Sequence, residues 1–168
     1  SSYKIITTYE PYPFSISISG KLRIEIPAES QPPVNENYTY SVVDLRNQFF
    51  AGDTVNSFNI DGVIPDGVIF GDDVLTVYDT AMAGSVVHLK ATSLKGLQKT
   101  IDIQLVSESS IKFNGTFDLA LPAYGEPAES WTYTAQVLGN DGLPMDRTAQ
   151  ITLDSTLPEG ITYDAKTC

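Results

Sequence analysis

The sequence predicts an all-β protein that contains two antiparallel β-sandwiches in tandem, the second of them incomplete. Three observations support this prediction: apolar residues alternate with polar ones along short segments, turn-forming residues separate these segments, and landmarks of the first half recur in the second. A spacing of two residues between apolar side chains is typical of a strand with one buried and one solvent-facing side. No segment shows the sustained period of 3.6 residues that an amphipathic helix requires.

Seven strands are predicted in the first copy of the repeat. Three are short and have the sequences SFNI, VIF and VLTV. Turn-forming residues are concentrated between strands, in NQFFAGD, DGVIPDG, FGDD and SLKG. Seven short strands in about 95 residues are typical of an immunoglobulin-like sandwich. The other four strands alternate clearly, and their predicted inward residues are Leu22, Ile24 and Ile26; Tyr38, Tyr40 and Val42; Val87, Leu89 and Ala91; and Ile101, Ile103 and Leu105.

The repeat is recognised from two spacings. One is 93 residues and the other, earlier in each copy, is 95. A loop after Pro-Ala that is two residues shorter in the second copy would reconcile them. The landmarks are Pro65/Pro158, Gly67/Gly160 and Tyr38-Thr39-Tyr40/Trp131-Thr132-Tyr133 at 93 residues, and Gly20/Gly115 and Ile26-Pro27-Ala28/Leu121-Pro122-Ala123 at 95 residues.

The repeat divides the chain into three parts. Residues 1–14 are predicted to be a linker or the end of a preceding module, residues 15–108 a first sandwich, and residues 109–168 a second. The second copy has no counterpart of residues 75–106, which hold three strands of the first. We therefore expect it either to be a fragment or to be completed by a C-terminal segment or a strand of another chain.

The run VIPDGVIFGDDVLTV, followed by AGSVVHLKATSLKGLQKTIDIQLV, resembles bacterial immunoglobulin-like and dystroglycan-type cadherin-like repeats. The segment LPEGITYDAKT in the second copy is similar to the same family motif, although Cys168 stands where that motif usually has Gly. The resemblance covers nearly the whole chain. It implies a tandem module of an extracellular or cell-surface protein that acts as a spacer, an adhesion module or a scaffold presenting other domains.

Charge and composition exclude several partners. The net charge of −11 and the pI near 4.3 disfavour nucleic acid and anionic membrane surfaces. No apolar run approaches the roughly 18 residues of a membrane span. The single cysteine, Cys168, cannot form a disulfide within the chain. The resemblance to surface-protein repeats implies a secreted or cell-surface location. It also implies other domains of the same polypeptide, or a C-terminal fragment that completes the second copy, as partners, and a glycan or a cell-surface protein is a further candidate.

Catalytic chemistry is not expected. The only histidine, His88, lies at an outward strand position, and no His/Cys cluster supplies zinc ligands. Calcium is the one candidate cofactor, because Asp66, Asp72 and Asp73 place hard oxygen ligands on neighbouring loops. Aspartate also favours turns through local bonding to the backbone, which explains these residues without a metal.

Aromatic residues raise the alternative that the chain is a carbohydrate- or ligand-binding accessory module of a secreted carbohydrate-active enzyme. Trp131 is the only tryptophan. Because it aligns with Tyr38, we expect it in the core of the second copy. Tyr124, Phe49 and Phe50 lie in predicted loops and are the candidate ligand-binding residues.

Overall fold

The computed structural model describes Lys4, residues 14–44 and residues 55–165. The all-β prediction is confirmed, because these residues form twelve strands and no helix. The chain divides into two compact units, Ser1–Val106 and Ser107–Cys168. The strands are β1 (Phe14–Ser19), β2 (Arg23–Glu25), β3 (Val34–Asn37), β4 (Thr39–Asp44), β5 (Val55–Ile60), β6 (Val68–Gly71), β7 (Val74–Val77), β8 (Val86–Ser93), β9 (Gln98–Val106), β10 (Glu108–Asn114), β11 (Thr134–Gly139) and β12 (Pro144–Thr148).

The first unit contains three sheets, with strand orders β1-β4, β2-β9-β8-β5 and β3-β7-β6. All pairings are antiparallel except that of β2 with β9, which is parallel. The sequence had predicted antiparallel strands throughout, and that detail is wrong for β2. Side chains alternate with period two in both arrangements, so the apolar pattern does not distinguish them.

The main core of the first unit lies between the four-stranded and the three-stranded sheet. Alternation along β8 and β9 predicted its centre correctly, because Val87, Leu89, Ile103 and Leu105 are fully buried. Leu22 and Tyr40 were predicted to face inward but are exposed. Leu22 lies before the start of β2, and Tyr40 packs edge-on against Phe58 with ring centroids 4.7 Å apart. The core also contains Ile24, Ile26, Tyr38, Val68, Leu75 and Val77.

A second, smaller core lies beneath the β1-β4 sheet. Ile16 of β1 and Val42 of β4 pack there with Ala91 of β8. Neither β1 nor β3 was predicted as a strand. β3 reads VNEN with a single apolar residue and so lacks a strong apolar signal. β1 reads FSISIS, which alternates as clearly as the predicted strands, so its sequence should have predicted it.

The second unit is one three-stranded sheet, in the order β10-β11-β12. Among its described residues, Val137 and Met145 are the buried large apolar side chains. Residues 149–165 contain no strand. Their matching segment in the first unit includes β6, which forms its ladder with β7. A strand needs such a neighbour for its hydrogen bonds, and the described residues of the second unit contain no counterpart of β7.

The local geometry of β1 and β4 recurs 95 residues later. Ser19 pairs with Thr39 in the first unit, and Asn114 pairs with Thr134 in the second. The same spacing relates the next four residue pairs along the two ladders. The turn after Pro-Ala recurs as well, with hydrogen bonds of 3.0 Å from Gln31 N to Ala28 O and 2.9 Å from Glu126 N to Ala123 O.

These spacings correct the alignment made from the sequence. Thr134 matches Thr39, so Tyr133 and not Trp131 is the counterpart of Tyr38. The turn after Pro-Ala has the same length in both copies, so the two-residue difference lies further along the chain, after β4 and β11. Trp131 is partly exposed instead of buried in a core. The similarity of WTY to YTY had suggested the wrong register.

Candidate functional site

A surface groove of about 390 Å³ lies in the first unit, between the end of β5 and the β6–β7 hairpin. Two of the predicted calcium ligands, Asp72 and Asp73, line it. The groove is lined by carboxylates and by aromatic and aliphatic side chains. Its other lining residues are Phe58, Asn59, Ile60, Gly62, Ile64, Phe70 and Gly71.

Asp72 and Asp73 form the two-residue turn that joins β6 to β7. Gly71 and Val74 pair across it, and the φ angles of the two aspartates are 52° and 62°. Two consecutive positive φ values define a type I′ turn, whose twist matches that of a hairpin and in which Asp and Asn are tolerated. The Asp73 carbonyl oxygen also accepts a 2.9 Å hydrogen bond from Tyr38 N. The turn therefore explains both aspartates without a ligand.

The structure does not bring the three predicted calcium ligands together. Asp66 lies in the turn before β6 and is not among the residues that line the groove. Within residues 14–44 and 55–165, no three His, Cys, Asp or Glu side chains form a group that could hold a metal ion. Asp72 and Asp73 thus share a turn, but they have no third acidic ligand.

The apolar part of the groove was not predicted from the sequence. Phe58 and Phe70 meet edge to face, with ring centroids 6.4 Å apart. Phe58 belongs to the four-stranded sheet and Phe70 to the three-stranded sheet, so their contact arises only from the packing of the two layers. Together with Asn59 and the two carboxylates, these rings offer an apolar surface beside hydrogen-bond acceptors. Such a surface suits a small molecule that carries hydroxyl groups or a positive charge.

Tyr124 is fully exposed, as predicted. It lies in the turn closed by Ala123 and Glu126, where Gly125 has a φ of 87°. This backbone geometry directs the chain around the turn and leaves the tyrosine ring accessible to solvent. Phe49 and Phe50, the other two candidate ligand-binding residues, lie outside the described residues.

His88 is exposed, as its outward strand position predicted. It stands opposite Asp102 on the neighbouring strand, with 2.6 Å between its Nδ1 and the Asp102 Oδ1. Both side chains are open to solvent. An exposed pair of this kind contributes at most about 1 kcal/mol to stability. We interpret it as a cross-strand surface contact.

A glycine and a tyrosine form the same close contact in both units. The Tyr38 hydroxyl donates a 2.6 Å hydrogen bond to the Lys21 carbonyl oxygen, and the Tyr133 hydroxyl donates to the Thr116 carbonyl oxygen. The glycine before each carbonyl residue has a positive φ, 151° at Gly20 and 152° at Gly115. A Cβ atom at either glycine would overlap the tyrosine ring.

Burial of Tyr38 raises the pKa of its hydroxyl strongly, and the nearby Glu36 carboxylate raises it further. The hydroxyl is therefore held in its neutral form, in which it can donate to the Lys21 carbonyl. Glu36 is itself engaged by Lys21, whose backbone N–H donates to Glu36 Oε1 at 3.0 Å. These contacts fasten the segment before β2 to the start of β4.

No protein-family model matches the chain, and comparison with curated proteins and with solved structures gives no match either. In the part of the chain that the structure describes, no helix has the length and apolar character needed to span a membrane.

Proposed function

We propose that the chain is a non-catalytic pair of immunoglobulin-like β-sandwich modules from an extracellular or cell-surface protein. In this role it spaces, presents or helps to attach neighbouring domains of the same polypeptide. Its contribution is mechanical and geometric, and it comes from the scaffold instead of a reactive site.

The repeated glycine–tyrosine contact carries this proposal. The same hydrogen bond, the same steric contact and the same backbone angle occur at Gly20–Tyr38 and again at Gly115–Tyr133. The positions that recur are structural ones, whereas the two groove carboxylates do not recur: at the 93-residue spacing, Ala165 matches Asp72 and Lys166 matches Asp73. A module duplicated for its scaffold is expected to keep its structural contacts and to vary its surface.

The resemblance to surface-protein repeats supports the extracellular or cell-surface location, and the composition is compatible with it. An acidic chain with one cysteine in 168 residues does not depend on disulfides. Acidic charge also keeps a surface module soluble and away from anionic polymers.

Force spectroscopy tests the proposal. The chain is placed between marker domains and stretched, and the wild type is compared with Gly20→Ala. Gly71→Ala is the control, because a Cβ at Gly71 meets nothing within 4 Å. If the first unit bears load, we expect it to unfold in one discrete event. That event should lengthen the chain by about 30 nm, because each residue spans about 3.3–3.6 Å when extended. Gly20→Ala should lower the force of this event and Gly71→Ala should not. Gradual extension without a discrete event would reject a load-bearing role.

A carbohydrate-binding role is the second candidate, and the full exposure of Tyr124 favours it. An exposed aromatic ring on a turn can stack on a sugar ring, and the groove beside Phe58 and Phe70 offers a separate apolar surface with acceptors.

A glycan array separates the two functions. The spacer proposal predicts no glycan signal above that of a denatured control. Binding that Tyr124→Ala abolishes, while Tyr78→Ala leaves it intact, would establish the carbohydrate-binding role instead. Tyr78 is a suitable control because it is an exposed tyrosine of the first unit.

A further inference from the structure

Some matched positions in the two units differ sharply in exposure, although Val137 is buried like its match Val42. Ile16 in β1 is 2% exposed, whereas Ile111, its counterpart in β10, is 54% exposed. Ile26 is 4% exposed, whereas Leu121 is 77% exposed. The β1–β4 and β10–β11 ladders share one register. The difference therefore arises from what covers these side chains, and not from the strands that carry them.

In the first unit the cover is the β8–β9 hairpin. Ala91 of β8 packs with Ile16 and Val42, and Leu97 of the hairpin turn lies against the same cluster. The hairpin also supplies the partners of Ile24 and Ile26 in the main core, which are Val87, Leu89, Ile103 and Leu105.

The hairpin also builds backbone structure beneath it. Parallel pairing with β9 makes residues 23–25 a strand, with Ile24 opposite Leu105. At a spacing of 95 residues the matching segment is 118–120, which is not a strand and in which Leu119 is exposed. Among the described residues of the second unit, no strand follows β12 to take the place of β8 and β9.

We propose that the surface formed by Ile111, Phe113, Leu119 and Leu121 is a docking site for a β-hairpin from outside residues 1–168. The hairpin has apolar residues at every second position and a net positive charge, as residues 86–106 have. Its apolar side covers Ile111 as Ala91 and Leu97 cover Ile16, and one of its strands pairs in parallel with residues 118–120.

Charge complementarity supports this choice of partner. The hairpin of the first unit carries Lys90, Lys95 and Lys99 against one acid, Asp102. Residues 107–165 carry nine Asp or Glu residues against Lys112 and Arg147. Opposite charge speeds the encounter of two surfaces and disfavours acidic competitors. The difference in exposure between the matched residues is the same whether or not the chain acts as a spacer.

The experiment adds a synthetic peptide with the sequence of residues 86–106 to the ¹⁵N-labelled full chain and follows amide shifts by NMR. We expect saturable shifts in β10, β11 and residues 118–120, and weaker binding as salt is raised. The variant Ile111→Thr/Phe113→Thr should weaken binding at least tenfold. Threonine keeps the β-branched shape that a strand favours. Ile69→Thr is the matched control, because Ile69 is also 54% exposed but lies in β6.

Three results would overturn the proposal. The first is the lack of saturable binding at the highest soluble peptide concentration. The second is a set of shifts confined to β1, β4 and β5, which would mean that the peptide exchanges with the resident hairpin of the first unit. The third is concentration-dependent dimerisation without peptide, blocked by Ile111→Thr/Phe113→Thr, which would identify a second copy of the chain as the occupant.

Discussion

Gly20 lies so close to the Tyr38 ring that a Cβ atom at residue 20 would overlap the ring atoms Cδ1 and Cε1. The glycine also has a φ of 151°, which side chains rarely adopt. The contact allows the Tyr38 hydroxyl to reach the Lys21 carbonyl oxygen at 2.6 Å. The lack of a side chain at Gly20 thus allows the Tyr38 ring to occupy its position in the core.

Gly20→Ala should destabilise the first unit for two reasons. Overpacking against the ring costs about 1–3 kcal/mol, and an unfavourable backbone angle costs about 1–3 kcal/mol more. Urea unfolding followed by circular dichroism measures the change. Gly71→Ala should cost much less, because a Cβ at Gly71 meets nothing within 4 Å. Equal losses in the two variants would show that the ring contact is not what requires glycine at position 20.

Tyr38→Phe should change the pH dependence of stability. The folded state raises the pKa of Tyr38 above its ordinary value of about 10. The stability linked to the neutral hydroxyl is fully present below that value. It is lost as the pH rises from there toward the raised pKa of the folded state, because the unfolded chain ionises first.

The variant lacks both the hydrogen bond and the titrating group. At pH 8 it should be less stable than the wild type by about 0.5–1.5 kcal/mol, the usual net value of a hydrogen bond. Above about pH 10 the difference should shrink, because only the wild type ionises Tyr38 on unfolding. Urea denaturation between pH 8 and 11 measures the difference, and a constant gap would contradict the assignment.

Much of the fold could be predicted because alternation reports burial directly. Val87 and Leu89 are buried and His88 between them is exposed, as a two-sided strand requires. The parallel pairing of β2 could not be predicted, since alternation is the same in both strand directions. The sequence alignment of the two copies matched WTY to YTY and so gave the wrong register. The correct register keeps the spacing between Gly20 and Tyr38 equal to that between Gly115 and Tyr133. That spacing matters because each glycine contacts its tyrosine, which only the structure shows.

The candidate site was predictable only in part. The segment FGDD predicted the turn that holds Asp72 and Asp73, because acidic residues and glycine favour tight turns. Whether a third carboxylate joins them depends on how separate loops pack, and so does the contact of Phe58 with Phe70. No local pattern encodes contacts between different sheets.

Asp73→Gly should leave the first unit as stable as the wild type, or more stable by up to about 1 kcal/mol, because Asp-Gly suits a type I′ turn and glycine accepts a positive φ without a steric cost. Asp73→Val should destabilise it, because a β-branched residue is disfavoured at a φ near 62°. Thermal unfolding measures both changes.

The same variants test the calcium prediction. A metal that binds the folded state raises its melting temperature. Because Asp66 does not join Asp72 and Asp73, we expect added calcium to leave the wild type and Asp73→Gly unchanged. A calcium-dependent rise in the wild type that Asp73→Gly removes would instead show that the turn carboxylates bind the ion.

The two units should unfold separately, the second at lower denaturant. Of the sixteen buried apolar residues among those described, only Val137 and Met145 belong to the second unit. Each large side chain contributes about 1.5–3 kcal/mol when fully buried, and ordering the backbone costs about 1–2 kcal/mol per residue. Trp131, the only tryptophan, lies in the second unit, so its fluorescence reports on that unit, whereas circular dichroism is dominated by the nine strands of the first. The fluorescence transition should therefore precede the circular dichroism transition.

As a control, Trp131→Phe combined with Tyr40→Trp moves the fluorescent reporter to the first unit. The fluorescence transition of this variant should then coincide with the circular dichroism transition. Coincident transitions in the wild type would show that the units unfold as one, contrary to the burial that the structure assigns to the second.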